Sequence, residues 1–347
     1  MWKQTTKLPA WINLTGTHLP NLTPATQRET EALQEVIGEC LFIERIELNG
    51  RHLQMYRIKN DPSVGDYLVR WLPSNQYDET IDTYNFSLWL NTQDFLTPYP
   101  VIKPFQLKSL NDGLIYGVKY YQHRLLSPIP SDMIELATRL AQFHDILPRH
   151  KNHDVWKKNT EKRMRTLSRV RDSLANGEWR SGPDPDRLCE IAKDRSLDFI
   201  RDDLPRQSLH GDLNYRNAFV PTVELDQSSL QVMLLDFEDV KHSVLPVVFE
   251  LALVIERFIL VHDLDNETAV TAAQVFLSSY QNKCLHELNL NKVDWVSILQ
   301  SLNLRSLCVL SLIENQGGDI PEDEWKKFFY LFECVKQQAD LWHCIAS

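Results

Sequence analysis

The chain has 347 residues, 43% hydrophobic and 24% charged, the makeup of a globular protein long enough for two cores. A formal net charge of -10 and the lack of a basic stripe argue against a nucleic-acid partner, since phosphate backbones are held by clustered Lys and Arg. Six scattered cysteines without CxxC spacing, no apolar leader and no apolar run of bilayer length point to a cytoplasmic protein with reduced thiols and no membrane partner.

Residues 1–27 are rich in Thr, Pro and Asn, show no sustained period, and read as an arm. Thr30–Ile37 reads as a short helix with Gly38 as its stop. Alternating patterns over Leu41–Leu48, Leu53–Ile58 and Tyr67–Trp71, separated by Asn49-Gly50 and Asp61-Pro62, predict a small antiparallel sheet. A helix follows over Ile81–Leu90, with Ile81, Tyr84, Leu88 and Phe86 as inward candidates. Val101–Gln106 and Leu114–Tyr121 are two further strands around the turn signal Asn111-Asp112-Gly113.

After Pro128 and Pro130 the character is helical. Ser131 can cap a helix whose inward face is Ile134, Leu136, Ala137, Leu140, Ala141 and Phe143. Residues 155–176 and 185–203 read as charged helices. In the first of them Lys157, Lys158, Lys162, Arg163 and Arg165 read as a solvated face. Short strands are expected at Ser208–His210, Ala218–Val220 and Leu230–Leu235. Helices are then expected near 247–261, 267–284, 293–315 and 322–345. A β-rich segment followed by an α-rich one predicts an α+β chain in two lobes. The boundaries are an arm over 1–37, a sheet-bearing N-lobe over 38–123 and a helical C-lobe over 124–347.

The stretch that carries chemistry is His210-Gly-Asp-Leu-Asn-Tyr-Arg-Asn217, followed by Leu234-Leu-Asp236-Phe-Glu238. Phosphoryl transfer needs a group that orients and deprotonates the acceptor hydroxyl. It also needs hard oxygen ligands that hold magnesium against the phosphates. Asp212 and Asn217 share one loop between two apolar strands, and Asp236 closes the next apolar run.

These residues resemble the aminoglycoside phosphotransferase / choline kinase superfamily, a small-molecule branch of the protein-kinase-like fold. HGDLNYRN matches its HGDxxxxN, and LLDFED matches its (I/L)D(F/W)E(D). The resemblance implies a bilobal protein-kinase-like fold with a small antiparallel sheet in the N-lobe and a mostly helical C-lobe. It implies ATP or GTP as phosphoryl donor, Mg2+ as cofactor and a small-molecule hydroxyl as acceptor. Residue by residue, it makes Asp212 the catalytic base, Asn217 and Asp236 the metal ligands, and His210 a brace for the loop. The segment Ile46–Ile58 resembles the nucleotide-covering hairpin, with Gly50 at its turn, and Arg70 stands where a phosphate-contacting cation is expected. Ala137–His144 resembles the helix that ends in a (L/F)H pair. Coverage is about residues 38–260.

Two departures stand out. The acid expected to pair with Arg70 is not evident, with Glu79 and Asp82 as the candidates. Where an Asp-Leu-Ala run is expected, the chain reads Glu250-Leu-Ala252, which makes Glu250 the group under the loop. Tyr215 and Arg216 are open between substrate contact and surface, and Glu238 between metal geometry and structure. Asp263, Asp265 and Glu267 are open between an acidic rim for a cationic acceptor and an ordinary helix start. Trp295, Trp325 and Trp342 read as core rather than pocket. The alternative to an enzyme is a nucleotide-binding regulatory protein of the same fold. Acceptor identity and oligomeric state stay open.

Overall fold

The computed structural model describes residues 21–48, 51–107, 113–197, 199, 204–222, 231–262, 264–284, 288–290 and 293–346. They fall into two compact units. One holds the described residues from Asn21 to Leu126 together with those of Tyr215–Glu238; the other holds those of Ser127–Asn214 and from Asp239 onward. The expected glycine turn at Gly50 and the acid Asp263 lie outside the described residues.

The first unit is built on β1 (Asn21–Pro24), β2 (Phe42–Leu48), β3 (Arg51–Lys59), β4 (Tyr67–Pro73), β5 (Pro100–Leu107) and β6 (Gly113–Lys119). Among the described residues these make one sheet in the order β1-β2-β3-β4-β6-β5, every neighbouring pair antiparallel. β1 lies within the stretch that the sequence alone reads as an arm without a period. It has too few residues to show a period, and it is fixed by pairing, with Leu22 opposite Ile46. Helix α1 (Gln27–Ile37) starts at a reciprocal cap between Thr26 and Glu29 and lays Leu33 on the sheet. There it meets Ile43, Tyr56, Ile58, Val69, Leu107 and Ile115. Alternation then decides the faces: Val69 is buried in this cluster, so its neighbour Arg70 points to the opposite face.

Helix α2 (Tyr77–Thr92) begins earlier than its apolar pattern suggested and buries Phe86 and Leu90, while Ile81, Tyr84 and Leu88 are only half-buried. A second, three-stranded sheet takes β7 (His123–Leu125), β9 (Ala218–Pro221) and β10 (Met233–Leu234) in the order β10-β9-β7. Two contacts tie it to α2 and the segment after it. Thr97 Oγ1 donates to the Leu234 carbonyl at 2.9 Å, and Phe86 meets Phe237 edge-on with centroids 5.5 Å apart.

The second unit is helical. Its elements are α3 (Pro130–Ile146), α4 (His153–Ala175), α5 (Pro185–Lys193), the strands β8 (Arg206–Ser208) and β11 (Val244–Pro246), and α6 (Val247–Val254). After these come α7 (Asn266–Lys283), α8 (Trp295–Asn315), α9 (Glu322–Gln337) and α10 (Ala339–Ala346). β8 and β11 pair antiparallel. Ser131 is not the cap of α3. Pro130 occupies the first turn, where a missing N–H costs nothing, and Asp132 accepts instead from the Ser127 amide at 2.8 Å. Ile134 is 46% exposed because the buried stripe runs through Met133, Leu136, Ala137 and Leu140.

The helix expected to reach 203 ends at Lys193. Arg171 gathers the carbonyls of Ala192, Asp194 and Leu197, which closes the chain into a turn. The last expected helix breaks at Gln338 into α9 and α10. α6 widens into a π-helical turn over Ile255–Leu260. α8 is long and apolar enough to cross a membrane, yet 56% of its apolar window is buried inside the protein, as in a core helix. Trp295, Trp325 and Trp342 are buried, and all six cysteines are free thiols.

Candidate active site

The first half of the loop belongs to the helical unit. β8 ends at Ser208, and the Leu209 amide donates to the Ser243 carbonyl at 2.9 Å, which anchors the entry to the loop. Gly211 follows with φ +89°, and a Cβ there would lie 2.2 Å from Ser243 Oγ. Only glycine meets both conditions. His210 is buried, and its ring lies 6.0 Å from that of Phe143, centroid to centroid. Asp212 is exposed, with the Asn214 amide nitrogen 3.3 Å from its Oδ2.

Glu250 supplies the brace. Its side chain is almost fully buried. Oε2 accepts from the His210 amide at 2.9 Å, and Oε1 accepts from the Gly211 amide at 2.7 Å. His144 Nε2 lies 2.6 Å from Oε2, and His144 Nδ1 lies 2.7 Å from the Tyr280 hydroxyl. Burial pushes the Glu250 carboxyl up. The hydrogen bonds from His144 and the Gly211 amide pull it further down, so it lies below the ordinary carboxylate value. The sequence pattern offered His144 and Glu250, but gave no sign of Tyr280 or of Gln207, whose amide donates to the Tyr280 oxygen at 3.2 Å. Aromatic and amide residues on helices look alike whether they pack or bridge.

Arg163 departs from its solvated reading. It ion-pairs with Asp239, whose carboxyl is lowered overall although burial alone would raise it; Arg163, His242 and His210 outweigh the burial. Nothing in a run of basic residues marks the one that turns inward.

The second half belongs to the sheet-bearing unit. β9 and β10 run antiparallel with Ala218 opposite Leu234, and the Leu235 amide donates to the Asn217 carbonyl at 3.0 Å. This ladder sets Asn217 and Asp236 beside each other at the same end of the hairpin. Asn217 is buried, and Asp236 is partly exposed with φ +65°, an uncommon conformation for a residue other than glycine.

Arg70 Nη1 lies 3.7 Å from Asp236 Oδ1 and 3.2 Å from Glu238 Oε1. Its acids are therefore Asp236 and Glu238, whereas Glu79 and Asp82 on α2 are exposed. Tyr116, opposite Arg70 across β4 and β6, is pushed up to about 12 by burial and stays a neutral phenol. Asn217 and Asp236 offer an amide oxygen and a carboxylate, donors of the hard kind that magnesium takes. Among the described residues no group of three His, Cys, Asp or Glu side chains comes together as a metal cage. Two protein oxygens completed by phosphate oxygens and water suit magnesium in nucleotide sites.

No protein-family model matches the sequence, and no curated protein matches it. Solved structures do. The choline kinase LicA from Streptococcus pneumoniae aligns over 90% of this chain and 100% of its own, at 16% identity and TM-score 0.54. The GDP and kanamycin complex of APH(2")-IIia aligns over 90% of this chain and 99% of its own, at 14% identity and TM-score 0.57. A Plasmodium vivax ethanolamine kinase aligns over 92% and 83%, at 13% identity and TM-score 0.50. These likenesses show the fold. The chain has an α+β, protein-kinase-like fold that it shares with these small-molecule kinases.

Proposed function

We propose that the protein is a small-molecule kinase that moves the γ-phosphoryl group of ATP or GTP to an acceptor hydroxyl. The observation that carries this reading is the pair Asn217 and Asp236, set side by side by the β9–β10 ladder with Arg70 within 3.7 Å of Asp236. Bound magnesium would draw charge off the transferring phosphoryl group. Asn217 and Asp236 would hold it. Asp212 accepts the proton of the acceptor hydroxyl. Arg70 turns from its acids to the phosphates of the donor, where a guanidinium fork suits paired oxygens. A purine nucleotide donor is supported by complexes of two fold relatives, LicA with AMP and APH(2")-IIia with GDP. The acceptor belongs to neither nucleic acid nor membrane, and the protein works in the cytoplasm.

The test has two parts. A thermal-shift screen of hydroxylated acceptors, with magnesium and a non-hydrolysable nucleotide, should find an acceptor that raises Tm by mass action. With that acceptor, Asp212→Ala should lower turnover by about 10²–10⁴-fold and leave nucleotide affinity unchanged. Turnover equal to wild type would remove Asp212 from this role. Asp236→Ala should weaken magnesium-nucleotide binding measured by calorimetry.

A second reading is a nucleotide-binding regulatory protein. It is favoured by the pairing of Arg70 with Glu238 and Asp236 rather than with an acid of α2. Normal nucleotide affinity with no phosphorylated product across the acceptor screen would select it.

A further inference from the structure

The polar chain behind the loop continues past Glu250 through three more buried or half-buried side chains. Glu250 on α6 meets His144 on α3; His144 meets Tyr280 on α7; Tyr280 meets Gln207 on β8. Tyr280, His144 and Glu250 are each at most 2% exposed. Bulk solvent therefore does not reach them, and donors must match acceptors within the network.

The amide nitrogen of Gln207 can only donate, so the Tyr280 oxygen accepts from it. The single phenolic hydrogen is left for His144 Nδ1, which must then be a bare acceptor. The ring hydrogen sits on Nε2 and is donated to Glu250 Oε2. Burial raises the Tyr280 hydroxyl far out of reach of ionisation, so its proton stays in place.

We propose that Tyr280 is a positioning residue for the loop that carries Asp212. Together with Gln207 it fixes His144 as the neutral tautomer protonated at Nε2. That tautomer in turn fixes the Glu250 carboxylate on the His210 and Gly211 amides. The proposal rests on the reading of Asp212 as the base, but its first tests do not need turnover.

Long-range proton–nitrogen spectra of the histidine rings should show one ring with Nε2 protonated and Nδ1 bare, assigned by its loss in His144→Gln. A ring with both nitrogens protonated would overturn the proposal. Gln207→Glu replaces the donor by an acceptor that takes the phenolic hydrogen, so His144 Nδ1 should gain a proton in the same spectrum. A ring signal identical to wild type would refute the chain of donors. Tyr280→Phe should shift the backbone amide resonances of His210 and Gly211; unmoved resonances would count against any link to the loop.

Where a substrate is in hand, Tyr280→Phe should lower kcat roughly ten- to hundredfold with nucleotide KM unchanged, as small misplacement of a reacting group does. Tyr280→Phe and His144→Gln should show non-additive losses, and additive losses would refute action through His144. Wild-type protein that transfers no phosphoryl group, yet gives the expected ring and amide spectra, would sink the kinase reading and leave this network standing.

Discussion

Replacing Glu250 by Gln tests how much of the loop's order rests on one carboxylate. Glu250 accepts three hydrogen bonds, from the His210 amide, the Gly211 amide and His144 Nε2. A glutamine carbonyl can replace Oε2 and keep two of them. Its NH₂ then faces the Gly211 N–H, donor against donor. One buried donor left unpaired costs about 1–3 kcal/mol. Loss of the ionised acceptor weakens the two bonds that survive. A net loss of ~2 kcal/mol should lower Tm by about 4–8 °C in a cooperative unit of this size.

The effect should depend on pH with a defined sign. The folded carboxyl lies below its ordinary 4.5, so its stabilisation is complete above that value. It is lost as pH falls through the lower folded value. The gap between wild type and Glu250→Gln, followed by circular dichroism from pH 7 downward, should hold until about pH 4.5 and then close. A variant as stable as wild type at pH 7, or a gap that widens in acid, would refute the account of Glu250.

Gly211→Ala should destabilise by at least about 1–2 kcal/mol, the cost of a left-handed backbone for an L side chain. Ser243→Gly should return part of that loss by removing the atom 2.2 Å from the new Cβ, as read by urea melts of single and double variants. Glu256, buried on the π-helical turn, has its carboxyl raised by burial despite Arg257, Asn303 and Lys327. Its ionised form therefore weighs against the fold as pH rises, and Glu256→Gln should gain stability on wild type between pH 5 and pH 8. An unchanged gap across that range would show that the carboxylate is fully compensated. Thr26→Ala removes the cap of α1 and should cost about 1 kcal/mol by denaturant titration.

The loop between β8 and β9 was legible because its residues fall close together in the chain, between two apolar runs. The strand alternation around Val69 and Arg70 was legible for a similar reason, since period two survives in a short segment. What stayed hidden depends on partners distant in sequence. Arg70 finds its acids 166 and 168 positions away in the chain, at Asp236 and Glu238, so inspection of α2 could not supply them. The early end of α5 depends on Arg171, which takes carbonyls that a longer helix would have used. Tyr280 carries no local mark at all, because its role exists only once α3, α6 and α7 are packed.

Among the described residues the chain passes between the two units at three places, after Leu126, after Asn214 and after Glu238. The sheet-bearing unit is therefore not a detachable N-terminal piece. A fragment cut at Leu126 would keep β7 and lose β9, the strand that β7 pairs with, and β10 beyond it. Asp212 would also be inherited apart from Asn217 and Asp236 in any division of the gene along these units. Recombination that exchanged the first third of the gene would split the hairpin bearing Asn217 and Asp236 from its β7 neighbour. A functional chimera thus needs Tyr215–Glu238 to travel with the sheet, so the unit of exchange is discontinuous in sequence.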